Sequence, residues 1–140
     1  MKPRITMLTL GIDDLERSLA FYRDGLGLPT EGIVGTEFPH GAVAFFHLQN
    51  GVTLAIWPRD SIAHDLGIAQ TPRSATELMI AHNVGSSAAV DAVMEQAKRA
   101  GAAIVKPAQK TFWGGYAGYF QDPDGHVWEI AWNPRIEVSD

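Results

Sequence analysis

Two carboxylates, Glu77 and Glu129, are placed where paired acidic side chains on one sheet face would carry chemistry. Glu77 opens Glu77-Leu78-Met79-Ile80-Ala81-His82, and Glu129 lies inside Val127–Trp132. Both stretches alternate as strands do. Leu78 and Ile80 then meet a helix, while Glu77, Met79 and Ala81 point the other way. Glu129 joins them if Trp128, Ile130 and Trp132 take the helix side. Two carboxylates close together repel and are expensive to desolvate. Either a cation sits between them, or one takes up a proton with a raised pKa and acts as a general base or acid. Two solvated carboxylates on an open face are the third alternative, and they would have no chemical role.

The elements that must position these residues are written twice. Met7-Leu8-Thr9-Leu10-Gly11-Ile12 leads into a helical stretch over Asp14–Asp24, and Glu77–His82 leads into one over Ser87–Ala100. Phe46–Ile56, with its Asn50-Gly51 turn, aligns with Phe120–Ile130, with its Asp122-Pro123-Asp124-Gly125 turn. In this overlay Met7 matches Glu77 and Ala55 matches Glu129. Asp13 or Asp14 can cap the first helix and Ser86 or Ser87 the second, while Gly25 and Gly27, and then Gly101, stop them. Asn50-Gly51 predicts a hairpin between Ala42–Leu48 and Val52–Trp57, because both residues tolerate positive φ. Thr30–Val34 is a further strand candidate, and Ser61–Leu66 suggests one helical turn. In the second copy the strands fall at Glu77–Val84, Ala103–Val105, Tyr116–Gln121 and Val127–Trp132.

Each copy is thus β-α-β-β-β. One helix cannot cover four strands, so the other sheet face of each copy needs a partner. The expectation is an α+β fold in which two such repeats, about 4–58 and 75–133, form a single domain. They would make a partly closed, curved barrel with helices outside. Met7, Thr9, Thr53, Ala55 and Trp57 of the first copy would then line the cavity with Glu77, Met79 and Glu129.

Composition narrows the function classes. In 140 residues, 46% are apolar and 19% charged, which is a globular balance. A net charge of −5 with scattered basic residues argues against nucleic-acid binding. No cysteine is present, so thiol nucleophiles and thiolate metal sites are excluded. No apolar run is long enough to span a membrane or form a signal-peptide core, which predicts a cytoplasmic protein.

Other candidates are weaker. Phe112-Trp113-Gly114-Gly115-Tyr116 joins two glycines to aromatics, so backbone could approach a ligand closely with Trp113 as a wall. An aromatic-anchored loop explains the same residues equally well. His82 reads as a structural or surface histidine, His126 as solvent-exposed after the turn glycine, His47 is ambiguous, and nothing singles out His40 or His64. No serine and histidine arrangement suggests a hydrolytic triad.

The repeat order, the opening Leu8-Thr9-Leu10-Gly11-Ile12-Asp13-Asp14-Leu15-Glu16-Arg17-Ser18-Leu19-Ala20-Phe21-Tyr22 and the ending Gly118–Glu129 resemble the vicinal oxygen chelate superfamily. It includes glyoxalase I, bleomycin-resistance proteins and extradiol dioxygenases. The resemblance implies a small-molecule ligand and a homodimer. It also implies a divalent cation held by two ligands from each repeat, at the positions of Met7, Ala55, Glu77 and Glu129. Met7 offers only a soft thioether and Ala55 no donor atom, which leaves Glu77 and Glu129 to hold a cation weakly. Three readings follow. The first is a lyase or isomerase in which a carboxylate, Glu77 or Glu129, moves a proton next to a carbonyl. The second is a metal-free sequestering protein of bleomycin-resistance type. The third is a metal-dependent lyase or dioxygenase with an unusual ligand set.

Overall fold

The computed structural model describes residues 1–138. The chain divides into two compact modules, Met1–Pro72 and Arg73–Asp140. Each is a four-stranded mixed sheet with a helix on one face, so the fold is α+β with two βαβββ modules.

In module one, strands β1 (Met7–Ile12), β2 (Thr30–Val34), β3 (Val43–His47) and β4 (Thr53–Pro58) run in the order β1-β4-β3-β2. Only the β1–β4 pair is parallel, as a strand–helix–strand crossover requires. Helix α1 (Leu15–Ala20) continues into a π turn, Phe21–Gly25. Asp14 caps α1 by accepting the Arg17 N–H at 3.0 Å. Leu10, Ile12, Ala44, Phe46, Leu54 and Ile56 bury the face toward α1, where Leu19 and Tyr22 complete the core. Asn50 and Gly51 both adopt positive φ at the β3–β4 hairpin, as their types require. The connector forms more helix than expected: α2 covers Arg59–Leu66 and packs on β1 and β4.

Module two repeats the order with β5 (Met79–Asn83), β6 (Ala103–Lys110), β7 (Tyr116–Gln121) and β8 (Val127–Trp132), arranged β5-β8-β7-β6. Helix α3 (Ser87–Arg99) is capped by Ser86, whose hydroxyl accepts the Ala89 N–H at 3.1 Å. Val90, Met94 and Ala97 of α3 bury against Phe120, Trp128 and Ile130. Strand β6 runs to Lys110 rather than ending at Val105, with two register irregularities that keep it paired to β7.

One expectation fails in a way that matters for the site. The strand predicted over Glu77–Val84 begins only at Met79, and Glu77 lies in a bend before it. Register also corrects the overlay of the copies. Met7 pairs with Thr53, and Met79 pairs with Val127. Met79, not Glu77, is therefore the counterpart of Met7. The two methionines are alike in exposure as well, at 49% each.

Candidate functional site

The sheet face opposite α3 carries the cluster with the clearest chemistry. Alternation along β8 sends Trp128 and Ile130 into the core and leaves Val127, Glu129 and Ala131 on the other face. Glu129 is flanked in register by Ala81 of β5 and Tyr119 of β7. The Tyr119 hydroxyl donates to Glu129 Oε1 at 2.8 Å, in a partly buried setting. That bond to the carboxylate, with desolvation and the nearby negative charge, pushes the Tyr119 phenol above its ordinary value. The phenol therefore stays a donor throughout the neutral range. The other neighbours on the face are Ala81 beside it, Ala117 and Ala131 a row further along, and Met79, Val127 and Gln121 a row back. Lys106 of β6 is the register partner of Tyr119, which extends the row to Lys106–Tyr119–Glu129–Ala81.

Glu77 does not join this row. It precedes Ala81, the neighbour of Glu129, by four residues and lies outside the paired residues of β5. It is exposed in the bend before β5. Strand alternation therefore does not reach Glu77, which lies outside β5.

Module one brings Met7, Thr9, Thr53, Ala55 and Trp57 onto the face opposite α1, as alternation predicts. Met7 pairs with Thr53, Thr9 with Ala55, and Gly11 with Trp57. The row matching Lys106–Tyr119–Glu129–Ala81 reads Phe45–Ala55–Thr9, so a phenyl ring and a methyl group replace the phenol and the carboxylate. Ala55 is 1% exposed, and no charged group could stand there without burial.

The cation implied by the resemblance finds no chelating set here. Among the described residues no three His, Asp or Glu side chains converge. Ala55 lacks a donor atom, Met7 offers a soft sulfur, and Glu77 lies outside the β5 pairing that sets the neighbours of Glu129.

Several groups escaped sequence reasoning. Tyr119 was legible only as a strand residue, since its partnership with Glu129 depends on the β7–β8 register. His40 and His64 stack with centroids 4.2 Å apart, and His40 Nδ1 lies 3.1 Å from Ser61 Oγ. Trp57 donates its indole N–H to the His40 carbonyl at 2.9 Å, so the Trp57 ring is tied to the β2–β3 loop. His126 is not a free surface side chain: its Nδ1 lies 2.8 Å from Oδ2 of the buried Asp122. Asp122 Oδ1 also accepts the N–H groups of Asp124 and His126, each at 2.9 Å, which fixes the β7–β8 turn. His82 lies on the α3 side of β5, beside Ile130, and desolvation there lowers its pKa. Trp113 of the Gly-Gly loop is not part of the Glu129 row.

Known proteins share this architecture. A glyoxalase-related enzyme from Fulvimarina pelagi is 37% identical, with a TM-score of 0.82 over 98% of this chain and 93% of that one. A glyoxalase/bleomycin resistance protein/dioxygenase from Nocardioides is 26% identical, with a TM-score of 0.75 over 99% and 91%. Fosfomycin resistance protein FosX from Listeria monocytogenes is 24% identical, with a TM-score of 0.70 over 96% and 97%, a likeness of fold. A search of curated proteins finds no match. The family model described as Glyoxalase/Bleomycin resistance protein/Dioxygenase superfamily matches residues 4–130. A repeated βαβββ sheet, a Glu on the last strand and a match over nearly the whole chain thus agree, and the chain belongs to this superfamily.

Proposed function

We propose that this protein is a small-molecule enzyme of lyase or isomerase type that moves a proton on a carbon next to a carbonyl. The observation that carries the reading is the 2.8 Å bond from the Tyr119 hydroxyl to Glu129 on the face opposite α3. Of the two carboxylates singled out by sequence, Glu129 is the base. Its free oxygen takes the proton from the acidic C–H, and Tyr119 holds the other oxygen and so fixes the direction of attack. A positioned base of this kind contributes about a hundredfold to ten-thousandfold in rate. The enolate formed when the C–H bond breaks carries its charge on oxygen. Lys106, in the same row, is the cation available to stabilise it. With a 2-hydroxy ketone, return of the proton from Glu129 to the adjacent carbon, as the hydroxyl proton passes to the former carbonyl oxygen, completes an isomerisation; departure of a β-substituent with its bonding pair, taking the proton held by Glu129, completes a lyase reaction. Ala81 beside Glu129, with Ala131 and Ala117 in the next row, leaves room for a substrate on that side.

No step in this scheme runs through a metal, because the donor set does not fit one. The working form in this reading is a cytoplasmic homodimer with a small carbonyl compound as ligand. Lactoylglutathione lyase from Agrobacterium tumefaciens, 20% identical, shares the fold, with a TM-score of 0.68.

The test is deuterium exchange. The protein is incubated in heavy water with a panel of methyl ketones, 2-keto acids and 2-hydroxy ketones, and exchange is read by NMR. Enzyme-accelerated exchange that disappears in Glu129→Gln but survives in Glu77→Gln is expected. Sequestration of bleomycin-resistance type gains from the exposed methionine at each module's first strand, a soft apolar surface. Saturable binding of a cationic aromatic molecule, with no exchange on any ketone, would replace the enzyme reading.

A further inference from the structure

The Gly-Gly loop has a place that the proton-transfer reading does not use. On the α3 side of the module-two sheet lies a half-open cavity of about 470 Å³, within the size range of small-molecule pockets. Ser87 and Asp91 of α3, Lys110 and Thr111 at the end of β6, and the rings of Tyr116 and Trp132 line it. Tyr116 and Trp132 are register partners, and Trp132 shares its face of β8 with the core residues Trp128 and Ile130. Glu129 and Tyr119 stand on the opposite face, so the sheet separates the two places.

The walls are held in position. Thr111 Oγ1 accepts the Gly115 N–H at 3.0 Å, and the Thr111 N–H donates to the Gly115 carbonyl at 3.0 Å. A Cβ at Gly115 would collide with the Trp113 ring and the Trp132 carbonyl, so only glycine lets Trp113 lie against the loop. Trp113 therefore braces this cavity rather than walling the other face. Across the cavity, the Tyr116 hydroxyl donates to Asp91 Oδ1 at 2.9 Å and anchors the carboxylate. The bond to Asp91 pushes the Tyr116 phenol above its ordinary value, which keeps it a donor at neutral pH. Lys110 carries no ion pair among the described residues.

An anchored carboxylate and an unpaired ammonium on one aromatic-walled cavity complement a ligand that carries both charges. We propose that this cavity binds a small zwitterion of α-amino-acid type. Lys110 and the Ser87 hydroxyl meet its carboxylate, Asp91 meets its ammonium, and its side chain lies against Tyr116 and Trp132. A ligand with only one charge would leave either Lys110 or Asp91 uncompensated, so discrimination should follow the presence of both.

The experiment is an NMR titration of the isotope-labelled full chain with three probes. These are L-phenylalanine, N-acetyl-L-phenylalanine, which lacks the ammonium, and phenethylamine, which lacks the carboxylate. L-phenylalanine should give saturable shifts at residues 87–91, 110–116 and 132, and each analogue should bind about tenfold more weakly or worse. Asp91→Asn keeps an acceptor for Tyr116, and Lys110→Gln changes an exposed side chain. Each should weaken L-phenylalanine about tenfold, while Glu129→Gln leaves its affinity unchanged. Absence of saturable shifts, shifts centred elsewhere, or equal affinity for all three probes would overturn the proposal. The probe comparison needs no variant, so it decides the matter even if a substitution disturbs folding.

Discussion

At one register position the two modules part company: Ala55 in the first, Glu129 in the second. The frames are alike. Each has a parallel first-to-last strand pair, a capped helix on one face and an exposed methionine level with the second residue before that position. The neighbours changed together with the central residue. Phe45 and Ala55 form one row, and Tyr119 and Glu129 the other. A carboxylate needs a donor to hold it and a methyl group needs only contact, so a substitution at one site demands one at the next strand. Duplicating a fold copies a scaffold; what each copy presents on the face opposite its repeat helix depends on a pair of cross-strand neighbours.

The sharpest way to break this comparison is to remove the carboxylate. Glu129→Gln should lower ketone exchange by about a hundredfold to ten-thousandfold with the fold intact, measured as exchange rate beside the circular dichroism spectrum. Loss of the fold instead would mean that Glu129 is a core residue. The reciprocal change tests module one. Ala55→Glu puts a charge at a position 1% exposed and should destabilise by about 3–5 kcal/mol, read from the urea midpoint. A variant as stable as the parent would show that the two rows are interchangeable. Tyr119→Phe removes the donor alone. About a tenfold drop in kcat with little change in KM is expected, while an unchanged kcat would leave the phenol without a part in proton transfer.

Smaller effects refine the picture. Chelator treatment should leave exchange activity as it was, since the Glu129 row offers no chelating set; loss restored by a divalent cation would return the metal to the mechanism. His82, on the α3 face of β5, gives a smaller test. Its folded pKa lies below the ordinary value of 6.5, because desolvation disfavours the charged ring. As pH falls below about 6.5 the unfolded chain takes up the proton first, so the native state loses stability until the folded ring also titrates. His82→Gln should flatten the dependence of the urea midpoint on pH between 7.5 and 5.5, and an unchanged slope would assign it to another group.

Periodicity and turn chemistry made most of the elements legible. Asp14 and Ser86 cap where a side-chain acceptor was wanted, and Asn50-Gly51 turns where positive φ was wanted. Alternation also placed Glu129 on the face opposite α3, and Thr9, Thr53, Ala55 and Trp57 on the face opposite α1. These are local properties of a chain and survive without knowledge of its neighbours. The overlay of Met7 on Glu77 went wrong for a related reason. Sequence similarity aligned residues along the chain, whereas the parallel register aligned Met7 with Met79.

By itself, then, the sequence determined an α+β chain of two βαβββ copies with a carboxylate on the last strand of the second. Tertiary structure alone decided which side chains stand beside that carboxylate. Strand pairing joins residues far apart in sequence, and a shift of two residues exchanges one set of neighbours for another on the same face. It brought Tyr119 to Glu129, left Glu77 outside β5, stacked His40 on His64 and turned the Gly-Gly loop toward α3. Each of those outcomes rests on distances across strands and loops, and no local propensity encodes them.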